Sequence, residues 1–310
     1  MASKMPAARD PQGLMISIAQ AEADQYRKPL RCMYCDAEVV LVHGHARQVG
    51  ETTVKVQSFF RLNVGHEHAP ECRFNTVGQI EIIARASDGN LIAALENNRY
   101  ELRLLSLREV LNELRQLSSH QINALDDVGG SSKEKIYVAA EAKLGAYINS
   151  AKRVLQVRAA CESHADIEQA LTLVFDGVRV PWKDFYFDDM DYFRCHQRHR
   201  LATVDIPLAI QGTVLSIRAV KNGLFVMNLV RPNRKTAGRD SMDVVQVSIW
   251  SKDPNAFADY KQNQSVVAFG MWSSSGPDVT LNPKVESPIK KFINYHLRLW
   301  PLLRSQVCHG

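Results

Sequence analysis

Four residues near the N-terminus have the types and the spacing of a metal site. Cys32 and Cys35 form a C-x2-C pair, and His68 and Cys72 follow at H-x3-C spacing. Two residues between cysteines let both thiolates face one ion, and zinc in structural sites takes four tetrahedral ligands of this kind. His66 is the alternative to His68 as the histidine ligand. The sequence predicts a structural zinc ion whose closed ligand set leaves no position for a catalytic water.

A second group of residues, in the C-terminal third of the chain, has the chemistry for binding nucleic acid. Basic side chains contact phosphates, and aromatic rings stack on the bases of a single strand. Any one ring could instead be a core residue, because both faces of the strand around residue 225 are apolar. The candidates are the cations Arg218, Lys221, Arg231, Arg234, Lys235 and Arg239 and the rings Phe225, Trp250 and Trp272.

The elements that would position these side chains are short strands. Alternating apolar residues and turn signals predict five of them, and Asn222-Gly223 is a strong hairpin turn between the first two. We also expect a short helix over 254–260 and a terminal helix over 288–303. The strands are predicted over about 206–220, 224–230, 244–250, 265–272 and 279–285. This pattern resembles a nucleic-acid-binding OB-fold, a small Greek-key barrel, and the resemblance implies binding of a single strand.

The zinc ligands are expected among short strands of their own. Strands are predicted over 38–43 and 54–60, and residues 79–85 form either a third strand or the start of a helix. With Phe59-Phe60-Arg61 leading into the His68–Cys72 pair, this segment resembles the N-terminal zinc ribbon of the competence protein CoiA-like family. The resemblance covers about residues 28–80, and it implies that a nuclease-like domain follows.

Such a domain would carry a Glu-x-Lys element on a strand, and Glu141 and Lys143 have that form. However, Ser131 and Glu134 form a capping box at a predicted helix over 134–161, so Glu141 is expected on an exposed helix face. Further helices are predicted over 104–117 and 166–174. Residues 184–200 are aromatic and acidic, then basic, and we interpret them as a linker.

Composition sets the broad class of the protein. The chain has 310 residues, 45% of them hydrophobic, and a net charge of +5, which permits a polyanionic partner but does not require one. No apolar segment is long enough to cross a membrane. Six unevenly spaced cysteines are typical of a reduced, cytoplasmic protein that uses thiols for metal.

Together these features predict an α+β protein with an N-terminal zinc ribbon, a helical middle region and a C-terminal five-stranded OB-like β-barrel. Its regions are a disordered or extended segment at 1–27, the zinc ribbon at 28–92, the helical region and linker at 93–202, and the OB-fold with its helix at 203–310. We expect a non-catalytic nucleic-acid-binding protein that favours single-stranded DNA over RNA. The alternatives are a CoiA-like metal-dependent nuclease and a protein–protein adaptor in a DNA-processing or defence complex.

Overall fold

The computed structural model describes most of the chain and contains three main sheets with few helices, which makes the protein α+β. The described residues are 4–49, 52–87, 89, 92–95, 99–104, 131–161, 164–202, 206–220, 223–235, 240–283, 288–301 and 303–310, with only the backbone described for 49, 52, 54, 55, 131–143 and 235.

An antiparallel sheet of five short strands forms the N-terminal region. Residues 4–27, part of the segment predicted as disordered or extended, form strands β1 and β2 of this sheet and helix α1, and Met5, Ala8 and Ile16 are buried in the core beside it. The predicted strand over 54–60 is wrong as one element, because the chain divides at Gln57-Ser58 between a separate hairpin and the sheet. The elements are β1 (Ala7–Arg9), β2 (Met15–Ser17), α1 (Ile18–Glu22), β3 (Leu30–Cys32), β4 (Glu38–Val42), the hairpin β5 (His45–Val49) and β6 (Thr52–Val56), and β7 (Phe59–Leu62).

The middle region combines helices with a four-stranded sheet of order β11-β10-β9-β8. A long helix is confirmed, and it includes Glu141. The predicted helix over 166–174 is confirmed only at its start, where a helix covers Ala165–Glu168. It is wrong beyond that, because Leu171 and Leu173 alternate inward in a strand that pairs in parallel with β9. The predicted helix over 104–117 lies outside the described residues beyond Leu104. The elements are α2 (Thr76–Arg85), β8 (Ile92–Ala94), β9 (Tyr100–Leu104), α3 (Ser131–Ala160), α4 (Ala165–Glu168), β10 (Leu171–Phe175) and β11 (Val178–Val180).

The segment interpreted as a linker is part of the core. It forms α5 (Trp182–Phe185), β12 (Tyr186–Phe187) and α6 (Tyr192–Leu201). Four of its aromatic residues, Phe185, Tyr186, Phe187 and Tyr192, are buried, and Tyr192 donates a hydrogen bond to the Gln211 carbonyl at 2.9 Å. The segment therefore packs the middle region against the C-terminal sheet.

The C-terminal sheet follows the order β18-β19-β16-β14-β13-β17-β20, with β12 and β15 paired at its sides. The predicted terminal helix is wrong: its residues form β19, which pairs with β16 in parallel over nine residues and points Leu297 and Leu299 into the core. Turns replace the helix predicted over 254–260. The strands are β13 (Leu208–Val220), β14 (Leu224–Leu229), β15 (Asn233–Lys235), β16 (Ser241–Ser251), β17 (Ser265–Gly270), β18 (Trp272–Leu281), β19 (Lys291–Leu299) and β20 (Val307–His309).

This arrangement differs from the predicted barrel of five strands. Over the described ranges, the pairing follows an open path from β18 to β20 and forms no closed barrel. The long strand β13 serves two neighbours, since its first half pairs with β17 and its second half with β14, with a register shift between Val214 and Ser216. No helix in the described ranges is both long enough and apolar enough to cross a membrane.

Candidate metal centre and sheet surface

The four predicted metal ligands come from two turns of the N-terminal region. Cys32 ends β3 and Cys35 lies in the turn to β4, a hairpin that the hydrogen bond from the Cys32 amide to the Ala37 carbonyl closes at 2.8 Å. His68 and Cys72 lie in the connection from β7 to α2, where Cys72 is fixed by a bond from its amide to the Ala69 carbonyl at 2.9 Å.

The structure brings these four side chains together, with one ligand atom of each within 4.8 Å of the others. The Sγ atoms of Cys32 and Cys72 are 3.7 Å apart. The His68 Nδ1 atom lies 3.4 Å from the Cys35 Sγ and 3.5 Å from the Cys72 Sγ. His66 is not part of the cluster, since its Nε2 faces a Glu38 carboxylate oxygen at 3.7 Å.

These separations match a single tetrahedral ion. Bonds of about 2.3 Å to sulfur and about 2.0–2.1 Å to nitrogen place two sulfurs roughly 3.8 Å apart, and a sulfur and a nitrogen roughly 3.5 Å apart. Two backbone amides support the thiolates: Tyr34 N–H donates to the Cys32 Sγ and Phe74 N–H to the Cys72 Sγ, each at 3.4 Å. The cluster is therefore compatible with a metal ion such as zinc.

Burial favours the neutral forms of Cys32, Cys72 and His68, whereas backbone amides near Cys35 lower the pKa of that thiol. Burial raises the pKa of the Cys72 thiol to about 12 and also raises the pKa of Cys32. It lowers the pKa of His68, whose Nε2 is buried without a hydrogen-bond partner. A cation at the centre would convert the thiols to thiolates and release their protons, so this donor set binds metal more tightly as pH rises.

The predicted nucleic-acid contacts on the C-terminal sheet fall on more than one surface. Arg218 on β13 and Arg231 after β14 line one shallow pocket of about 190 Å³, together with Asn228 and Gln246. Lys221 and Arg239 lie outside the described residues, and Lys235 is described only as backbone in β15. Two of the predicted cations therefore share the sheet surface.

Arg234 lies on the other side of the sheet. Its guanidinium group stacks over the Phe193 ring at 4.2 Å and forms an ion pair with Asp243 at 3.4 Å. Residues alternate between the two faces of a strand, and residues paired across two strands lie on the same face. Arg234 pairs with Asp243, which lies on the same face of β16 as the core residue Val245. It therefore belongs to the groove between α6 and β15.

The aromatic candidates also differ in their exposure to solvent. Trp250 is half-buried, donates from its Nε1 to the Ser248 Oγ at 2.9 Å and stacks on Trp300, with ring centroids 5.8 Å apart and planes at 25°. Trp272 is only 2% exposed and donates to the Leu208 carbonyl, so it is a core residue and not a stacking platform. Phe225 is half-buried against the same core.

The pairing of the strands places the candidate binding residues in two rows on the outer face of the sheet, the face opposite α6. One row runs from Arg218 through Val226 to Trp250, with the stacked Trp300 beyond it. The neighbouring row is polar and includes an arginine that sequence reasoning missed: Ser216, Asn228, Ser248, Arg298 and Ser273. The sequence did not indicate Trp300 and Arg298, because they lie in the segment predicted as a helix. A helix there would not place them beside Trp250 and Ser248 of β16.

No protein-family model matches this chain, and no curated protein resembles it significantly.

Proposed function

We propose that this protein binds single-stranded nucleic acid, with DNA favoured over RNA, on the outer face of its C-terminal sheet. The observation that carries the proposal is the stacked pair of Trp250 and Trp300 in the same row as Arg218. Trp300 is 47% exposed, so a base can add to the stack. A ring that accepts any base beside cations that accept phosphates is the usual way to hold a single strand.

Electrostatics support the same surface. Arg218, Arg231 and Arg298 are the cations of the outer rows and the adjoining pocket, where serine and amide side chains provide further hydrogen-bond donors. An ion pair with Asp243 engages Arg234 on the other face. We therefore assign phosphate contacts to the outer arginines and not to the whole basic segment that follows β14.

We further propose that the C-terminal sheet is a partly open barrel of the OB type. Five segments support this: β13, β14, β16, β19 and the chain from 265 to 281. In that last segment only Met271 separates β17, which pairs with β13, from β18, which pairs with β19. Strand β18, at one edge of the open sheet, and β17, beside the strand β20 at the other edge, thus belong to one stretch of chain, which would draw the sheet toward a partly open barrel.

For the N-terminal cluster we propose a structural zinc ion held by Cys32, Cys35, His68 and Cys72. Its support is the agreement between the ligand separations and tetrahedral geometry. Bound zinc would supply a cross-link between the β3–β4 hairpin and the connection to α2, a region with a small core of its own. The likeness to CoiA-like proteins, the nuclease and adaptor alternatives and the cytoplasmic location stay predictions.

The aromatic stack gives a direct test by fluorescence anisotropy with a labelled single-stranded oligonucleotide. Base–aromatic stacking contributes about 1–3 kcal/mol, so Trp300→Ala should weaken binding roughly 5- to 150-fold. Leu281→Ala is the matched control, because Leu281 is a large, exposed apolar side chain at the far end of β18. Equal affinities of Trp300→Ala and the unaltered protein would remove the stack from the binding surface.

A competition experiment then shows which type of nucleic acid the surface prefers. Unlabelled single-stranded DNA, RNA of the same sequence and duplex DNA are added to the preformed complex. We expect single-stranded DNA to compete best and duplex DNA worst, because paired bases cannot stack on the tryptophans. Stronger competition by RNA would leave the surface in place and reverse the assignment of its ligand.

A further inference from the structure

A polar cavity of about 630 Å³ lies where the N-terminal hairpin, the end of α3 and the start of β13 meet. It is separate from both the metal ligands and the outer face of the sheet. Lys4, Arg47 and Arg158 line it from three different parts of the chain, together with Asp188 and Asp189. A cavity of this size can hold a small molecule or one nucleotide.

Arg158 is a buried cation without a counter-ion among the described residues. Its side chain is 6% exposed. Its Nε donates to the His164 Nδ1 at 3.2 Å, its Nη1 donates to the Cys161 carbonyl at 3.4 Å, and the guanidinium lies 4.6 Å from the centre of the Tyr186 ring. All three partners are neutral, since burial lowers the pKa of His164. A buried charge without a paired ion is strongly unfavourable, so an anion beside Arg158 would be stabilising.

Arg47 provides a second, independent indication. Its guanidinium forms an ion pair with Asp189, which is 3% exposed, but its Nε is a buried donor without an acceptor. Asp188, the other acid at the cavity, accepts the Met190 amide at 2.9 Å. Among the described contacts, therefore, one buried donor of Arg47 has no acceptor and Arg158 forms no ion pair.

From these contacts we propose that the cavity binds an oxyanion, a phosphate group, between Arg158, Arg47 and Lys4. Phosphate offers acceptor oxygens in several directions, which suits two guanidinium groups and an amine that approach from separate elements. The rest of the cavity leaves room for a group attached to that phosphate. The source of the phosphate is either a free mononucleotide or the phosphorylated end of a nucleic-acid strand.

Inorganic phosphate is the first probe, measured by thermal unfolding and by titration calorimetry against chloride at equal ionic strength. We expect a saturable rise in Tm, because a ligand that binds only the folded state stabilises it. Arg158→Met should weaken binding at least about tenfold, since it removes a charged donor. Arg153→Met, an exposed arginine on the same helix, should bind phosphate as the unaltered protein does.

Lys4→Ala tests the site independently of Arg158, because Lys4 is an exposed side chain whose loss leaves the core intact. It should weaken phosphate binding even if Arg158→Met fails to fold. Absence of saturable phosphate binding by the unaltered protein would overturn the proposal, and so would undiminished binding by both variants.

The source of the phosphate is resolved by titrating adenosine monophosphate and an oligonucleotide with or without a 5′-phosphate. A gain in affinity that depends on the 5′-phosphate and on Arg158 identifies a strand end as the ligand, whereas binding of the mononucleotide alone identifies a free nucleotide. Neither result depends on the sheet surface, because Trp300→Ala should leave phosphate binding unchanged. Failure of the cavity proposal is thereby distinguishable from failure of the sheet proposal.

Discussion

Arg218 and Arg231 provide two of the three cations that we assign to the outer face of the sheet. The double variant Arg218→Ala/Arg231→Ala should bind single-stranded DNA more weakly and with a flatter salt dependence. Each phosphate contact on a single strand contributes about 0.7 to the slope of log K against log salt, so the loss of two contacts lowers the slope by about 1.4. Three contacts would give the unaltered protein a slope of about 2.1 from these residues.

The assay is fluorescence anisotropy at a series of salt concentrations between about 50 and 200 mM, the range in which counterion release dominates affinity. Arg234→Ala is the matched control, because it removes an arginine close to Arg231 in sequence that lies on the opposite side of the sheet over Phe193. We expect its slope to stay near that of the unaltered protein. An unchanged slope for the double variant, or an equal loss in the Arg234 control, would refute the assignment of the outer face.

Two further predictions concern the metal centre and two histidines, His164 and His196, whose pKa values are lowered. Cys72→Ala should lower the zinc content from about one ion per chain to nearly none by elemental analysis, whereas Cys308→Ala, a buried cysteine outside the cluster, should retain the ion; zinc retained after loss of Cys72 would contradict the ligand set. Burial lowers the pKa values of His164 and His196, so the unfolded chain binds more protons as pH falls below about 6.5. The free energy of unfolding should therefore fall as pH decreases from 7 to 5 in urea titrations, and His164→Gln should reduce this dependence; a stability that is constant or rises over this range would contradict the burial of these neutral rings.

The sequence predicts which cysteine and histidine side chains cluster because the spacing of candidate ligands is a local property. Two cysteines separated by two residues face one ion in almost any tight turn, and the second pair needs only another turn. The choice between His66 and His68 is not local, since the folded chain turns His68 to the three cysteines and leaves His66 facing Glu38 in β4. The β13–β14 hairpin is also predictable, from its alternation and its turn.

The errors occur where a short apolar segment fits two periodicities. Leu171 and Leu173 belong to a strand, although the residues around them can be fitted to a helix, and parallel pairing with β9 decides the outcome. In the same way the residues around Leu297 fit helical spacing, but they form a strand that pairs in parallel with β16 over nine residues. These decisions depend on partners that are distant in sequence.

The same limit applies to the residues proposed to bind nucleic acid. Trp250 and Trp272 look alike as sequence, since both lie in predicted strands, yet one stacks at the surface on Trp300 and the other is buried. Arg231 and Arg234 belong to one basic segment, but the pairing of β15 with β16 places Arg234 on the other face. Which face meets solvent is set by α6, which covers one side of the sheet, and not by the strands themselves.

The most direct test of the central claim is the binding of a labelled single-stranded DNA oligonucleotide to the unaltered, folded protein, measured by fluorescence anisotropy at low and at moderate salt. The account predicts saturable binding that weakens steeply as salt increases and that duplex DNA competes for poorly. Absence of binding at low salt to protein that carries its metal would contradict the account.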